Sequence, residues 1–168
     1  RVLFRSLFTR KKVKLDAVKK IIMGGKPLGF STSVRYLGII LDSTLSFREH
    51  LRDKISKTKK CLFVMHSLAG KNWGLTPKII RTAYVSIARP KLTYGAHIWQ
   101  HYVKSKEALK GLVSVQRLAL TMLSHVHRST PTAGLEVIWH LKPLDIFLEE
   151  IALRTFVRIQ PKIGRAHV

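Results

Sequence analysis

The spacing of apolar residues changes character once along this chain, and that change limits the folds open to it. Before Ser43 the apolar residues come in short runs broken by glycine: LFTR from Leu7, IIMGGKPLGF from Ile21 with Gly24-Gly25 as a turn signal, and VRYLGIILD from Val34. Such runs signal strands and hairpins, so a small β-hairpin or sheet edge is expected over residues 7–42. After Ser43 the period is helical. Phe47, Leu51, Ile55, Leu62 and Met65 share one face of a helix expected to reach about Ala69, with Thr58 filling the stripe and Gly70 placed to stop it. Thr76-Pro77 reads as an N-cap and N1 proline opening a second helix through Ile80, Tyr84 and Ile87, which Arg89-Pro90 must end or kink. Leu109, Leu112, Val113, Ala119, Leu120 and Leu123 pattern a third helix. Thr130-Pro131 repeats the capping device, and Pro143 to about Ile159 forms a last amphipathic helix. The expected fold is therefore mainly α with a small N-terminal β element (α+β). Phe47, Leu51, Ile55, Leu62, Ile80, Tyr84, Leu112, Leu120 and Leu123 are its expected core.

Charge narrows the partners. Lys and Arg number 31 against 9 Asp and Glu, a net +22 over 168 residues, far more than solubility needs. The partner this implies is a polyanion, and nucleic acid leads. A 46% hydrophobic fraction separates the chain from disordered polycationic tails, which lack the apolar residues to offset chain entropy. No apolar run approaches the roughly 18 residues of a membrane span, and the N-terminus has no signal-peptide core. The lone Cys61 permits no internal disulfide. An intracellular protein of nucleus and cytoplasm, neither secreted nor membrane-bound, is expected.

The first helix shows how the charge is arranged. At about 100° per residue, Arg48, Arg52 and Lys59 cluster beside the apolar stripe, while Glu49, Asp53, Lys57 and Lys60 lie around the far side, where Asp53 and Lys57 can pair. The first group reads as an unpaired row with no acid in its sector. It either follows a phosphate backbone or is a solvated face whose stems cover the stripe.

No catalytic centre is legible. The acids, Asp16, Asp42, Glu49, Asp53, Glu107, Glu136, Asp145, Glu149 and Glu150, include no aspartate pair at a strand end such as a two-metal site needs. Glu149-Glu150 sits in a helix, where neighbours point apart. His125 and His127 lack the company of other ligands and read as a helix end, Cys61 as a small core residue, and GGKP does not have Walker spacing. Both ends look foreign: RVLFRS (1–6) and IGRAHV (163–168) can be encoded by nearly reverse-complementary DNA strings that resemble sequencing adapter. They are set aside from fold reasoning, and the natural chain is expected to be a fragment.

Three blocks in order carry a resemblance: VRYLGIILDSTLSFREHL, GKNWGLTPKIIRTAYVSIARPKLTYGAHIW and STPTAGLEVIWHLKPLDIFLEE. From about Leu7 to Ile159 the chain resembles the region just beyond the catalytic palm motif in reverse transcriptases of non-LTR retrotransposons, particularly insect elements of the broad jockey-like class. The resemblance implies the end of a palm with its primer-grip strand over 7–42, a thumb-like helical bundle over 43–128 and a helical connector over 129–162. Tyr36, Leu37 and Gly38 would form the primer grip, with Gly38 allowing close backbone approach to the primer; a β-bulge or tight packing is the other explanation for a glycine there. Arg48, Arg52 and Lys59 would lie along a duplex of RNA template and DNA primer, joined by Lys71 and Trp73 of KNWGLTP. Trp73 either stacks on a base or staples the next helix. The family's Ala-Asp-Asp aspartates would lie upstream of Leu7, so this region implies no cofactor of its own. Magnesium is expected for the full-length enzyme, and the palm and fingers of the same polypeptide are expected partners. The alternative is a stand-alone, non-enzymatic basic helical protein that binds nucleic acid.

Overall fold

The computed structural model describes residues 6–8, 21–68, 74–127 and 129–163. Most of the described chain is helical, with two small antiparallel sheets near the N-terminus, as the change in apolar period implies. Thr9 and Arg10 of the LFTR run, the expected helix stop at Gly70, and Lys71 and Trp73 lie outside the described residues. So do 1–5 and 164–168, which are the adapter-like ends apart from Ser6 and Ile163. The chain divides into two compact units, Arg1–His50 and Leu51–Val168.

The first unit is built from hairpins. Strands β1 (Ile22–Met23) and β2 (Lys26–Pro27) pair antiparallel around Gly24 and Gly25, whose φ values of 59° and 74° suit glycine. Strands β3 (Ser33–Tyr36) and β4 (Ile39–Asp42) pair with Tyr36 opposite Ile39. This corrects the reading of VRYLGIILD as one strand with a glycine inside it: Leu37 (φ 46°) and Gly38 (φ 79°) form a two-residue turn. Positive φ at both central positions matches the right-handed twist of the flanking strands, which is why such turns close tight hairpins. Ile39 and Ile40 are buried, and the Ile40 amide donates to Nδ1 of the buried His50 at 3.1 Å.

Asp42 ends β4 and organises the chain ahead of the first helix. Its carboxylate accepts from the Thr44 hydroxyl (2.5 Å) and the Ser46 amide (3.0 Å) on one oxygen and from the Phe47 amide (2.8 Å) on the other. Burial pushes this carboxyl up, but the hydrogen bonds from Thr44, Ser46 and Phe47 together pull it further down, to about 2. Helix α1 then begins at Arg48 and runs to Ser67. Phe47, expected as its first apolar residue, precedes it with φ 57° and is buried there.

In the second unit, Leu51, Thr58, Leu62 and Met65 form the buried stripe of α1. Ile55 is only half-buried because it borders a concavity, although it packs closely on a neighbouring helix: a Cβ at Gly111 would come within 2.5 Å of Ile55 Cδ1. Helix α2 (Pro77–Ala83) opens at Thr76-Pro77 as expected, although the Thr76 side chain makes no capping bond. Arg89-Pro90 does not end the helix. Pro90 cannot donate to a carbonyl one turn back, and its ring crowds that turn. The chain widens into a π-helical turn, Tyr84–Ala88, where the Arg89 amide reaches the Tyr84 carbonyl, and continues as α3 (Arg89–Thr93). The extra residue shifts the phase, so Ala88 and Arg89 turn inward and Ile87 is 54% exposed.

Gly95, left-handed at φ 70°, turns the chain into α4 (Ala96–Trp99) and a 3₁₀ segment, Gln100–Lys104. Ser105 caps α5 (Lys106–Ser124) by accepting from the Ala108 amide, and His125 ends it in the left-handed conformation. Leu112, Ala119, Leu120 and Leu123 are buried in α5, whereas Val113 is exposed and Leu109 half-buried. Pro131 itself, rather than Thr130, is the N-cap of α6 (Thr132–Ile138). Helix α7 (Leu144–Ile163) packs on α4 and α5, with Leu144, Leu148 and Ala152 buried.

A polar network runs through this helical core. Gln116, 1% exposed on α5, accepts from the Tyr84 hydroxyl (2.8 Å) and Arg89 (3.3 Å) and donates to Glu136 and the Lys142 carbonyl, both at 3.0 Å. Arg89, 5% exposed, also donates to the Lys142 carbonyl and lies 4.5 Å from the Phe147 ring centre and 5.5 Å from that of Tyr84. Burial pushes the Tyr84 hydroxyl up, with Arg89 opposing. The network joins segments up to 53 residues apart, and a separate long-range bond runs from Arg81 Nε to the Trp139 carbonyl at 2.9 Å.

Candidate nucleic-acid interface

Helix α1 carries the basic face. Arg48 and Arg52 are exposed and Lys59 is half-buried; Asp53 and Lys57 pair at 2.7 Å, as their i,i+4 spacing implies. The reading of Arg52 as unpaired is corrected. Glu107, on the first turn of α5, accepts from Arg52 Nε at 3.0 Å and Nη2 at 2.5 Å, and from the Tyr102 hydroxyl at 3.2 Å. The two side chains are 65% and 41% exposed, and a pair so open to water contributes little to stability.

Beside this pair, α1 and α5 flank a concave groove of about 470 Å³. Arg52, Ser56, Lys59, Lys60 and Phe63 line one wall and Glu107, Gly111 and Ser114 the other, with Ile55 at the base. The residues of the α1 wall recur every three or four positions and so share a helix face. Lys59 and Lys60 have no acidic partner among the described residues. Lys60, which the helical period puts on the far side of the helix, borders the groove because α5 approaches from that side. Phe63 is 57% exposed, a large aromatic surface next to those ammonium groups. Charge counting along the chain finds the lysines, but the groove itself depends on α5, more than forty residues away in sequence, and only the aromatic following a basic run hinted at it.

Tyr36, Leu37 and Gly38 sit together at the β3–β4 turn, where Tyr36 is 64% and Leu37 73% exposed. Among the described residues no group of three or more His, Cys, Asp or Glu could hold a metal ion. No helix of the described residues is long and apolar enough to cross a membrane.

Comparison with known proteins gives a consistent set of relatives. The chain is 28% identical over 143 residues to a 115 kDa protein of the type-1 retrotransposable element R1DM of Drosophila melanogaster, covering 85% of this chain and 14% of that protein. It is 31% identical over 129 residues to a retrovirus-related Pol polyprotein of the element R1 4 of Nasonia vitripennis (77% and 32%). It is 28% identical over 129 residues to the corresponding R1 polyprotein of Bradysia coprophila (75% and 12%). The chain thus spans about a third or less of the length of each. No protein-family model matches, and no solved structure does. Over roughly 70–85% of its length the chain is thus a homologue of proteins encoded by R1-type, non-LTR retrotransposable elements, Pol polyproteins among them.

Proposed function

We propose that this chain is the part of a retrotransposon RNA-directed DNA polymerase that binds and positions the primer-template duplex, with the helical unit acting as thumb and connector. The kinship with R1 Pol polyproteins carries the reading. The basic face of α1 supports it, because Arg48, Arg52 and Lys59 repeat along one side of a helix as phosphate contacts would require. The β3–β4 tip supports it independently. A 73% exposed leucine at φ 46° contributes neither burial nor favourable backbone geometry, and strain of this kind is retained where a position serves a task. Tyr36, Leu37 and the side-chain-free Gly38 offer the tip of the hairpin to a primer end, and Lys71 and Trp73 remain candidates for further contacts.

Nucleotidyl transfer in such a polymerase needs magnesium on paired aspartates. The resemblance puts those aspartates upstream of Leu7, and the role proposed for this chain is orientation. The experiment is a salt titration of binding to an RNA–DNA hybrid and to duplex DNA of unrelated sequences. Affinity should depend little on sequence, and on duplex DNA log K should fall with log salt at about 0.9 per phosphate neutralised. Replacing Arg48, Arg52 and Lys59 with Gln should flatten that slope by about 2–3. An unchanged slope would reject the α1 face as the contact surface.

A further inference from the structure

The groove between α1 and α5 has features that duplex contact does not call for. A duplex backbone presents phosphates to a surface and hides its bases, so lysine and arginine suffice to hold it. This groove instead places a 57% exposed phenylalanine beside Lys59 and Lys60 and continues as a concavity of about 470 Å³ towards Arg52. Cationic side chains along a channel with an aromatic face to stack on are the means by which proteins hold unpaired strands, since every base has a π-face. From Arg52 to Phe63 the wall extends about 16 Å along the helix axis, room for a few nucleotides. Gly111 and Ser114 keep the α5 side low.

The single acid in the groove lining has a specific place. Glu107 puts one carboxylate oxygen on both Arg52 Nε and Nη2, the position a phosphate oxygen would take, in an exposed pair that water weakens. We propose that this groove seats a single-stranded nucleic-acid segment, with Phe63 stacking on a base, Lys59 and Lys60 holding phosphates, and Glu107 occupying Arg52 until a phosphate displaces it. The inference rests on the reading that the chain binds nucleic acid, and it adds a second mode: an unpaired strand in the groove as well as a duplex along the helix.

The test is fluorescence anisotropy of the whole chain with a labelled oligothymidylate and with a blunt duplex of equal length. Phe63→Ala should weaken oligothymidylate binding by about 5- to 150-fold, the range of one stacked base, and leave duplex binding within about twofold. Phe63→Tyr should restore it. Glu107→Gln should tighten oligothymidylate binding and steepen its salt dependence by about 0.7, one further phosphate on a single strand. Phe63 and Glu107 are exposed, and circular dichroism of each variant checks that folding is intact. If the duplex binds but Phe63→Ala has no effect, or weakens both ligands equally, the groove proposal is overturned while the duplex reading stands. Unchanged oligothymidylate affinity and salt slope in Glu107→Gln would overturn the displacement of Glu107. If neither ligand binds, both readings fall.

Discussion

Replacing Gln116 with Leu tests whether the buried polar network holds the helical unit together. The side chain is 1% exposed and makes four hydrogen bonds, to Tyr84, Arg89, Glu136 and the Lys142 carbonyl. Leucine fills similar space but leaves the Tyr84 hydroxyl, itself at a 1% exposed residue, without the acceptor it has at 2.8 Å. A buried group stripped of its partner costs about 1–3 kcal/mol. Arg89 and the Lys142 carbonyl keep each other, so their loss is smaller, and the sum is about 2–4 kcal/mol. In urea, at roughly 1–3 kcal/mol per molar, the midpoint should fall by about 1–2 M. Tryptophan fluorescence can follow this, because Trp99 is wholly buried in the same unit. Tyr84→Phe alone should cost about 1 kcal/mol, and adding it to Gln116→Leu should cost almost nothing more, since the stranded hydroxyl is then gone. Strict additivity of the two substitutions, or a midpoint shift under about 0.3 M for Gln116→Leu, would refute the account.

Acid should loosen the entry to α1. With the Asp42 carboxyl held at about 2, its contribution is complete above its unfolded value near 3.8 and is lost as pH falls from about 4 to about 2. The full shift would correspond to about 2.5 kcal/mol, which solvent screening at a partly exposed carboxylate reduces to about 1. Asp42→Asn should lose that amount near neutral pH and abolish this acid dependence, read as faster amide exchange at Ser46 and Phe47; unchanged exchange would remove Asp42 as the organiser. At the hairpin tip, Leu37→Asn should stabilise the β3–β4 turn by about 1 kcal/mol, because asparagine tolerates positive φ where leucine is strained. NMR chemical shifts of β3 and β4 would show it, and a weakened hairpin would contradict the assigned turn.

What was legible in the sequence depended on how local its cause was. Thr76-Pro77, the helix end at His125 and the stripe of Leu51, Leu62 and Met65 follow from residues a few positions apart, and the helices formed where those signals stood. Leu37-Gly38 escaped because the usual turn signal pairs glycine with asparagine or aspartate; a leucine there made two strands read as one. A constant helical period puts Ile87 inward because it takes no account of the residue that Pro90 forces into the preceding turn. Arg52 read as free because its acid lies 55 residues away on another helix. The groove escaped for the same reason, since a concavity belongs to two elements and has no signature in either.

The π-helical turn at Tyr84–Ala88 gives this chain a place where one residue of length can be taken up. Upstream of it Ile80 and Tyr84 face inward, and downstream Leu92, Ala96 and Trp99 do, and the two sets agree because the wide turn takes up the extra residue between them. Removing a single residue from that turn should let an ordinary α-helix form with the flanking residues still in phase, since the wide turn takes up one residue more than an α-helical turn does. The cost would fall on Pro90, whose ring crowds an ordinary α-helical turn. Many substitutions within these five residues can be absorbed, as the exposed Val85, Ser86 and Ile87 indicate. The turn thus acts as a store of one residue, which the helix can release without rotating the core on either side of it.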